Sequence, residues 1–323
     1  MKMLISGGSG FLGSALSDEM IKRYYQTGQD LAITWLTRDS TQAHPDGINM
    51  MTYDELDTTD KSFDVILNLA GAGIADSRWS DERKEQLLAS RIKPTESILR
   101  FIERTHTKPK LLVSGSAIGW YGTQGDTPLT ESSGFETDFA HKLCQEWEQL
   151  ALNATKYEVP VVIVRTGVVI HPEGGMVAKL LLPFKCGVGG QLGDGQQIMS
   201  WISREDWVGA AIFIIEQHLA AQSAGKQKVS HGDNALKTAS DTSATVYNLT
   251  APNPVTNHTF TKTLGSWLHR PTFFTLPEFL LKFMFGEMST LLIDGQKVLP
   301  QALLDAGYSF KHSTLKQALE EQA

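Results

Sequence analysis

Met3-Leu4-Ile5-Ser6-Gly7-Gly8-Ser9-Gly10-Phe11-Leu12-Gly13 decides the fold of this 323-residue chain. Residues 2–5 suffice to begin a buried parallel strand. The glycines then turn the chain sharply, and Phe11-Leu12 opens an amphipathic helix through Leu16, Met20 and Ile21 at helical spacing. Glycines alone say little, because a Gly/Ser loop has the same composition. A strand before and a helix after are what give the G-x-x-G-x-x-G spacing its meaning. Gly7 permits the tight turn, Gly10 leaves room for a pyrophosphate, and Gly13 lets the helix pack close to the strand. The free N–H groups and positive dipole end of that helix suit phosphates. With a second strand at 31–37, the pattern predicts a dinucleotide site built from Gly7, Ser9, Gly10, Phe11, Leu12 and Gly13.

The end of the second strand carries the choice of dinucleotide. An acidic residue there would bind the ribose 2′-OH of NAD. Arg38, after Thr37, instead pairs with the 2′-phosphate of NADP and stacks on its adenine. Asp39 follows at once, which keeps NAD in view, and a solvated surface arginine is the alternative to a ligand. The arginine fork favours NADP(H).

Outside this unit the composition sets bounds. A hydrophobic content of 41% and a charged content of 20% are those of a water-soluble globular protein. The net charge of −7 and the lack of a basic cluster argue against a nucleic-acid partner. Cys144 and Cys186 have no metal-ligand spacing and read as reduced thiols. No apolar run reaches membrane-spanning length: Pro183 and Lys185 break one candidate, Lys282 and Gly286 the other. The first strand begins without a signal core before it. Together these predict a cytoplasmic protein with no membrane partner.

Along the chain, strands are expected at 48–53, 63–71, 110–115 and 159–166. Helices between them run from Asp81, capped by Ser80 and disturbed at Pro94, and through Leu143, Trp147, Leu150 and Ala151. The alternation predicts a Rossmann-type, doubly wound parallel sheet over 1–170, to which 200–250 returns. Residues 171–200 and 251–323 form a smaller, mostly helical substrate domain. Its first part has glycine-rich turns around an apolar helix at 176–184; its last part has two or three amphipathic helices. The stretch 223–245 is polar and reads as a surface insertion. The small residues Leu69, Ala70 and Gly71 leave room for a nucleotide at a strand end.

With these residues placed, the chain resembles the extended short-chain dehydrogenase/reductases of the NAD(P)-dependent epimerase/dehydratase superfamily. More narrowly it is similar to their epimerase-like family with an appended C-terminal domain of unknown function, some members of which are labelled cell-division inhibitors. The likeness covers nearly the whole chain. It rests on Gly7–Gly13, Asn68-Leu69-Ala70-Gly71, Arg78-Trp79, Ser90-Arg91, Ser116-Ala117, Tyr121-Gly122, Trp147-Glu148, Arg165-Thr166-Gly167, Met199-Ser200-Trp201-Ile202, Asn248-Leu249-Thr250-Ala251-Pro252-Asn253 and Gly295-Gln296-Lys297-Val298. The resemblance implies a cofactor across Gly7–Gly13, Arg38 and Leu69-Ala70-Gly71. It implies that Arg91 faces the cofactor or substrate and that Arg165 and Gly167 close the strand lining the nicotinamide.

The family chemistry uses a serine, a tyrosine and a lysine four residues after the tyrosine. Ser116 fits the serine. Matching Glu146 to the usual glutamate of the following helix puts Lys142 on the lysine and Asp138 on the tyrosine, so the tyrosine is missing. An ordinary aspartate, with a pKa near 4, is a poor acid at neutral pH, and Asp138 and Lys142 at i and i+4 also read as a surface ion pair. Tyr121 is the alternative proton donor. No G-x-S-x-G elbow surrounds Ser114 or Ser116, and no G-K-[ST] follows the glycines, which excludes a hydrolase and an NTPase. The expectation is hydride transfer at a carbonyl or alcohol carbon of a small molecule, with a nucleotide sugar among the candidates. Ser116 would orient the oxygen, Lys142 would hold the ribose, and Tyr121 or Asp138 would move the proton. The missing tyrosine keeps open a second expectation, an NADP(H)-binding regulatory protein without catalysis.

Overall fold

Alternating residues of each central strand feed two separate cores. Met3 and Ile5 of β1 (Lys2–Ser6) join Val65, Leu67, Leu111, Val113, Val162 and Val164 on one face. Leu4 joins Ile66, Leu112, Val161 and Ile163 on the other. Side chains that alternate between two buried faces explain why these strands are apolar throughout rather than half polar. The computed structural model describes residues 1–39, 41, 44–224 and 244–321. The remaining sheet strands are β2 (Ala32–Thr37), β3 (Ile48–Thr52), β4 (Val65–Asn68), β5 (Leu111–Ala117), β6 (Val161–Thr166) and β7 (Ala244–Leu249). All seven are parallel, in the order β7-β6-β5-β4-β1-β2-β3. The order reverses between β1 and β4, and that switch point leaves a crevice at the strand C-termini.

Helices cover both faces. α1 (Phe11–Thr27) lies on the first core, and α2 (Tyr53–Thr58) and α3 (Asp81–Arg104) on the second. Ser80 caps α3 by accepting from Arg83 N at 3.1 Å. Pro94 does not end this helix. It removes one backbone donor, at a cost of about 3 kcal/mol. Neighbouring hydroxyls add bonds there, Thr95 Oγ1 to Arg91 O at 2.6 Å and Ser97 Oγ to Lys93 O at 3.2 Å. Burial of Ile98, Phe101 and Ile102 beyond it holds the helix on the sheet.

The later helices are α4 (Phe139–Ala151), α5 (Gly175–Lys185), α6 (Arg204–Ala224), α7 (Asn257–Trp267), α8 (Glu278–Phe285), α9 (Thr290–Ile293), α10 (Gln301–Asp305) and α11 (Leu315–Glu320). α6 returns to the sheet, whereas α5, α7 and α11 build a separate core with Ile170, Phe184, Trp201, Phe260, Leu264 and Leu319. Buried Asp206 at the start of α6 ties the C-terminal segment down, accepting from Lys311 N at 2.7 Å and His312 N at 2.8 Å. Of the polar stretch expected at 223–245, residues 225–243 lie outside the described residues. Positions 244–245 belong to β7.

Candidate functional site

The glycine turn sits at the switch point. Gly7 has φ +75°, a conformation that favours glycine, and a side chain there would strike the backbone of Leu69 at the end of β4. A Cβ on Gly13 would lie 2.3 Å from Gly7 O, so α1 and the turn touch backbone to backbone. α1 begins at Gly10 with no side-chain cap. Its first N–H groups therefore have no acceptor in the helix and face the crevice mouth. A side-chain-free turn with unpaired donors at a helix start fits a dinucleotide pyrophosphate.

Arg38 is exposed at the end of β2, with the Tyr53 ring near it. Burial pushes the Tyr53 hydroxyl above its ordinary range. Asp39 turns away to Thr41, accepting from its N at 2.9 Å and its Oγ1 at 2.7 Å; these bonds hold the carboxyl below its usual range. Thr37 Oγ1 bonds the same loop, to Asp39 O at 3.1 Å.

At the other end of the crevice, Arg91 on α3 lies over the turn after β4. Its Nη2 donates to Ala72 O at 3.1 Å and its Nη1 to Leu87 O at 2.9 Å, and a Cβ on Gly71 would meet its Cζ at 3.1 Å. Burial lowers its pKa. Arg91 lies 5.3 Å from the Trp147 ring, and Trp147 packs over Gly115 of β5. The buried indole N–H of Trp147 has no hydrogen-bond partner, a vacant donor between β5 and α4.

Ser116, on the last turn of β5, does not face Lys142 or Asp138. Its Oγ donates to Glu148 Oε1 at 2.6 Å, and Arg165 of β6 clamps the same carboxylate with Nε at 2.9 Å and Nη2 at 2.8 Å. All three are buried. The side of α4 that faces β5 carries Ala140, Cys144 and Glu148, spaced at i, i+4 and i+8. Ala140 packs on Gly119, and Cys144 Sγ donates to Ala117 O at 3.7 Å. Lys142 and Glu146 lie on the exposed side, and Asp138 is the N-cap of α4, accepting from His141 N at 2.7 Å. Glu146, matched to the family glutamate from the sequence, is exposed, whereas Glu148, two residues on, is the glutamate of α4 that reaches Ser116. Cys144 and Ala140 lie four and eight residues before Glu148 on the same side of α4. Burial, with Glu148 nearby, pushes the Cys144 thiol up to about 11, so it stays protonated at neutral pH.

Tyr121 is fully buried behind this group. Its hydroxyl donates to Asn248 Oδ1 at 2.8 Å and accepts from Arg165 Nη1 at 3.2 Å. Burial raises its pKa despite the opposing effect of Arg165. Trp120 stacks 3.5 Å from the Arg165 guanidinium. Asn248 Nδ2 continues to Leu299 O at 3.0 Å, so the network runs from Ser116 into the C-terminal segment. Arg165 is thus committed to Glu148 and Tyr121, and Gly167 packs against Ser200 O and Thr250. Sequence reasoning did not single out Glu148, Cys144 or Asn248 for a role. A signal was present: Glu148 falls within the apolar stripe Ala140, Leu143, Cys144, Trp147 and Ala151.

Residues 3–229 match the NAD dependent epimerase/dehydratase family. The chain belongs to that family. Residues 276–322 match a domain of unknown function, DUF1731. An epimerase family protein of Staphylococcus aureus is 32% identical, across 98% of this chain and 97% of its own length. The human epimerase family protein SDR39U1, solved with NADPH, superimposes with a TM-score of 0.83 at 29% identity, covering 99% of this chain and 98% of that one. UDP-glucose 4-epimerase from Thermotoga maritima, solved with UDP-glucose, shares the fold alone. It has a TM-score of 0.72 at 16% identity, covering 99% and 98%. Among the described residues no helix is long and apolar enough to cross a membrane.

Proposed function

We propose that this family member binds NADP(H) and acts as an atypical short-chain dehydrogenase-like oxidoreductase or epimerase on a carbonyl or alcohol carbon of a small molecule. A nucleotide sugar is among the candidate substrates. One observation carries the reading: the uncapped start of α1 at the switch point lies beside a β2 end where Arg38 is exposed and Asp39 is occupied by Thr41. The NADPH in human SDR39U1 supports it. Gly7, Ser9, Gly10, Phe11, Leu12 and Gly13 would hold the pyrophosphate, Thr37 and Arg38 the adenosine phosphate, and Leu69, Ala70, Gly71 and Arg91 the nicotinamide side. The bound nicotinamide supplies or accepts a hydride.

Ser116 orients the substrate oxygen and takes or gives its proton. Glu148 accepts the serine proton at 2.6 Å, and Arg165 fixes that carboxylate in place. Lys142 and Asp138 leave this scheme because they lie on another side of α4. Tyr121 orients Arg165 instead of moving a proton.

A specific observation favours a second reading, an NADP(H)-binding regulatory protein: beside Glu148 the inward side of α4 carries only Ala140 and Cys144, and neither transfers a proton at pH 7. The first test is a fluorescence titration with NADPH and NADH on the wild type and Arg38→Ala. Binding of neither at millimolar concentration sinks both readings. Given binding, a carbonyl and alcohol panel followed by nicotinamide absorbance separates them. Turnover that Ser116→Ala abolishes without changing NADPH affinity supports the enzyme, and tight binding with no turnover supports the regulator.

A further inference from the structure

Among the described residues Arg91 pairs with no carboxylate. Its Nη1 donates to Leu87 O at 2.9 Å and Ser90 Oγ at 3.4 Å, and its Nη2 to Ala72 O at 3.1 Å. A guanidinium stays charged at neutral pH, and a half-buried cation costs free energy unless an anion joins it. The groups near it that could do so are taken. Both Glu148 oxygens are held, by Arg165 and Ser116. Asp76, on the loop after β4, pairs with Lys179 at 2.8 Å. The Cys144 thiol, at about 11, is uncharged at neutral pH. Arg83, about two turns earlier on α3, adds a second cation. Its Nη2 donates to Gly73 O at 2.7 Å, and its buried Nε has no partner among the described residues.

The unpaired edge of Arg91 lies at the crevice turn. The bonds above leave Nε–H and one Nη2 hydrogen, the edge with which a guanidinium meets a carboxylate side-on. Arg165 grips Glu148 through the same two nitrogens, at 2.9 and 2.8 Å. Gly71 has no side chain to cover that edge: a Cβ there would lie 3.3 Å from Arg91 Nε. A second unpaired donor is close by. Trp147 is 6% exposed, and its ring centre lies 5.3 Å from the Arg91 guanidinium. Its Cζ2–Cη2 edge rests on Gly115, and the unpartnered Nε1 adjoins that edge. Gly115 precedes Ser116, so the indole spans from the arginine to the serine that orients the substrate oxygen.

We propose that Arg91 and Trp147 form the subsite for a carboxylate on the carbon next to the reacting carbonyl, so that the substrate is a 2-oxo acid and the product a 2-hydroxy acid. The subsite rests on the NADP(H) reading above. C2 of the acid takes a hydride, with its electron pair, from the reduced nicotinamide. The π pair of the carbonyl moves to its oxygen, which takes a proton from water by way of Ser116. The acid is reduced by two electrons and the nicotinamide is oxidised by two. The short path from Arg91 through Trp147 to Ser116 selects this class, because a nucleotide sugar carries its diphosphate several bonds further from a ring carbonyl.

The test is isothermal titration of the NADPH-loaded full chain with oxamate, a charged analogue of a 2-oxo acid, and with oxamide, its uncharged counterpart. Oxamate is expected to bind at least about tenfold tighter than oxamide. Arg91→Gln should erase that preference, and Arg91→Lys, which keeps the charge and loses the fork, should keep part of it. Gly71→Ala, whose methyl covers Nε and leaves the charge in place, should weaken oxamate at least about threefold, and it reads the same edge if Arg91→Gln does not fold. A purely structural arginine would shift the melting curve and leave the ratio of the two affinities alone. No oxamate binding up to about 10 mM overturns the proposal, as do equal affinities or a preference that survives Arg91→Gln. Uridine diphosphate binding that Arg91→Gln abolishes also overturns it and assigns the cation to a nucleotide sugar. NADPH loading is read first by fluorescence. Its absence overturns the cofactor reading together with this one, whereas loading without oxamate binding overturns this one alone.

Discussion

The Ser116 hydroxyl donates to the Glu148 carboxylate at 2.6 Å, although 32 residues separate them in the chain. The parallel sheet brings them together: β5 ends beside β6, which supplies Arg165, and α4 between those strands packs back over both. A buried carboxylate with both oxygens held by Arg165 is costly to disrupt from one side. Glu148→Ala leaves Arg165 charged and unpaired, and is expected to destabilise the fold by about 3–5 kcal/mol in urea denaturation. Glu148→Gln keeps the shape and one acceptor and should cost less. Wild-type stability in both variants would remove the pair from the core.

Tyr121→Phe tests the next link. It strands Asn248 Oδ1 and removes one partner of Arg165 inside the core, a loss of about 1–3 kcal/mol. NADPH affinity should stay within about twofold, because Tyr121 lies behind Arg165. A large loss of affinity at full stability would place Tyr121 in contact with the ligand.

Arg38→Ala should weaken NADPH at least tenfold, about 1.4 kcal/mol, and leave NADH nearly unchanged. Equal losses for both nucleotides would mean that Arg38 meets the adenine rather than a 2′-phosphate. Gly13→Val should abolish binding of both, because its Cβ would press on Gly7 O and deform the turn itself.

The Cys144 thiol gives a pH-dependent prediction. Its folded pKa, about 11, lies above the unfolded thiol range near 8.5. Between these values the unfolded chain releases a proton that the folded chain keeps, so stability is full below about pH 8.5 and falls as pH rises towards 11. The slope approaches about 1.4 kcal/mol per pH unit, and the difference between wild type and Cys144→Ala isolates it from the tyrosines. At pH 7.5 iodoacetamide should modify exposed Cys186 and spare Cys144, read by mass spectrometry. Rapid native labelling of Cys144 would contradict its burial.

Lys142→Ala should leave stability and nucleotide binding unchanged, because the side chain is exposed on α4. A tenfold loss of NADPH affinity would restore Lys142 to the ribose.

The sequence by itself determined the local units. Glycine spacing after an apolar strand is a backbone requirement, met within a dozen residues, so the turn, α1 and the position of Arg38 were legible. Unbroken apolar strands implied a sheet covered on both faces, and seven parallel strands are present. The helix expected to run on past Pro94 does so, because local propensity is a weak prior, outweighed by burial of the residues beyond it. The buried side of α4 was decided only by tertiary structure. Asp138 and Lys142 have the spacing of a helical pair, but which side of a helix is buried depends on what packs against it. Here β5 and β6 meet Cys144 and Glu148, with Ala140 on Gly119 just after β5, and a two-residue shift along a helix turns a side chain through about 200°. Spacing says which residues share a side; only packing says which side faces the crevice.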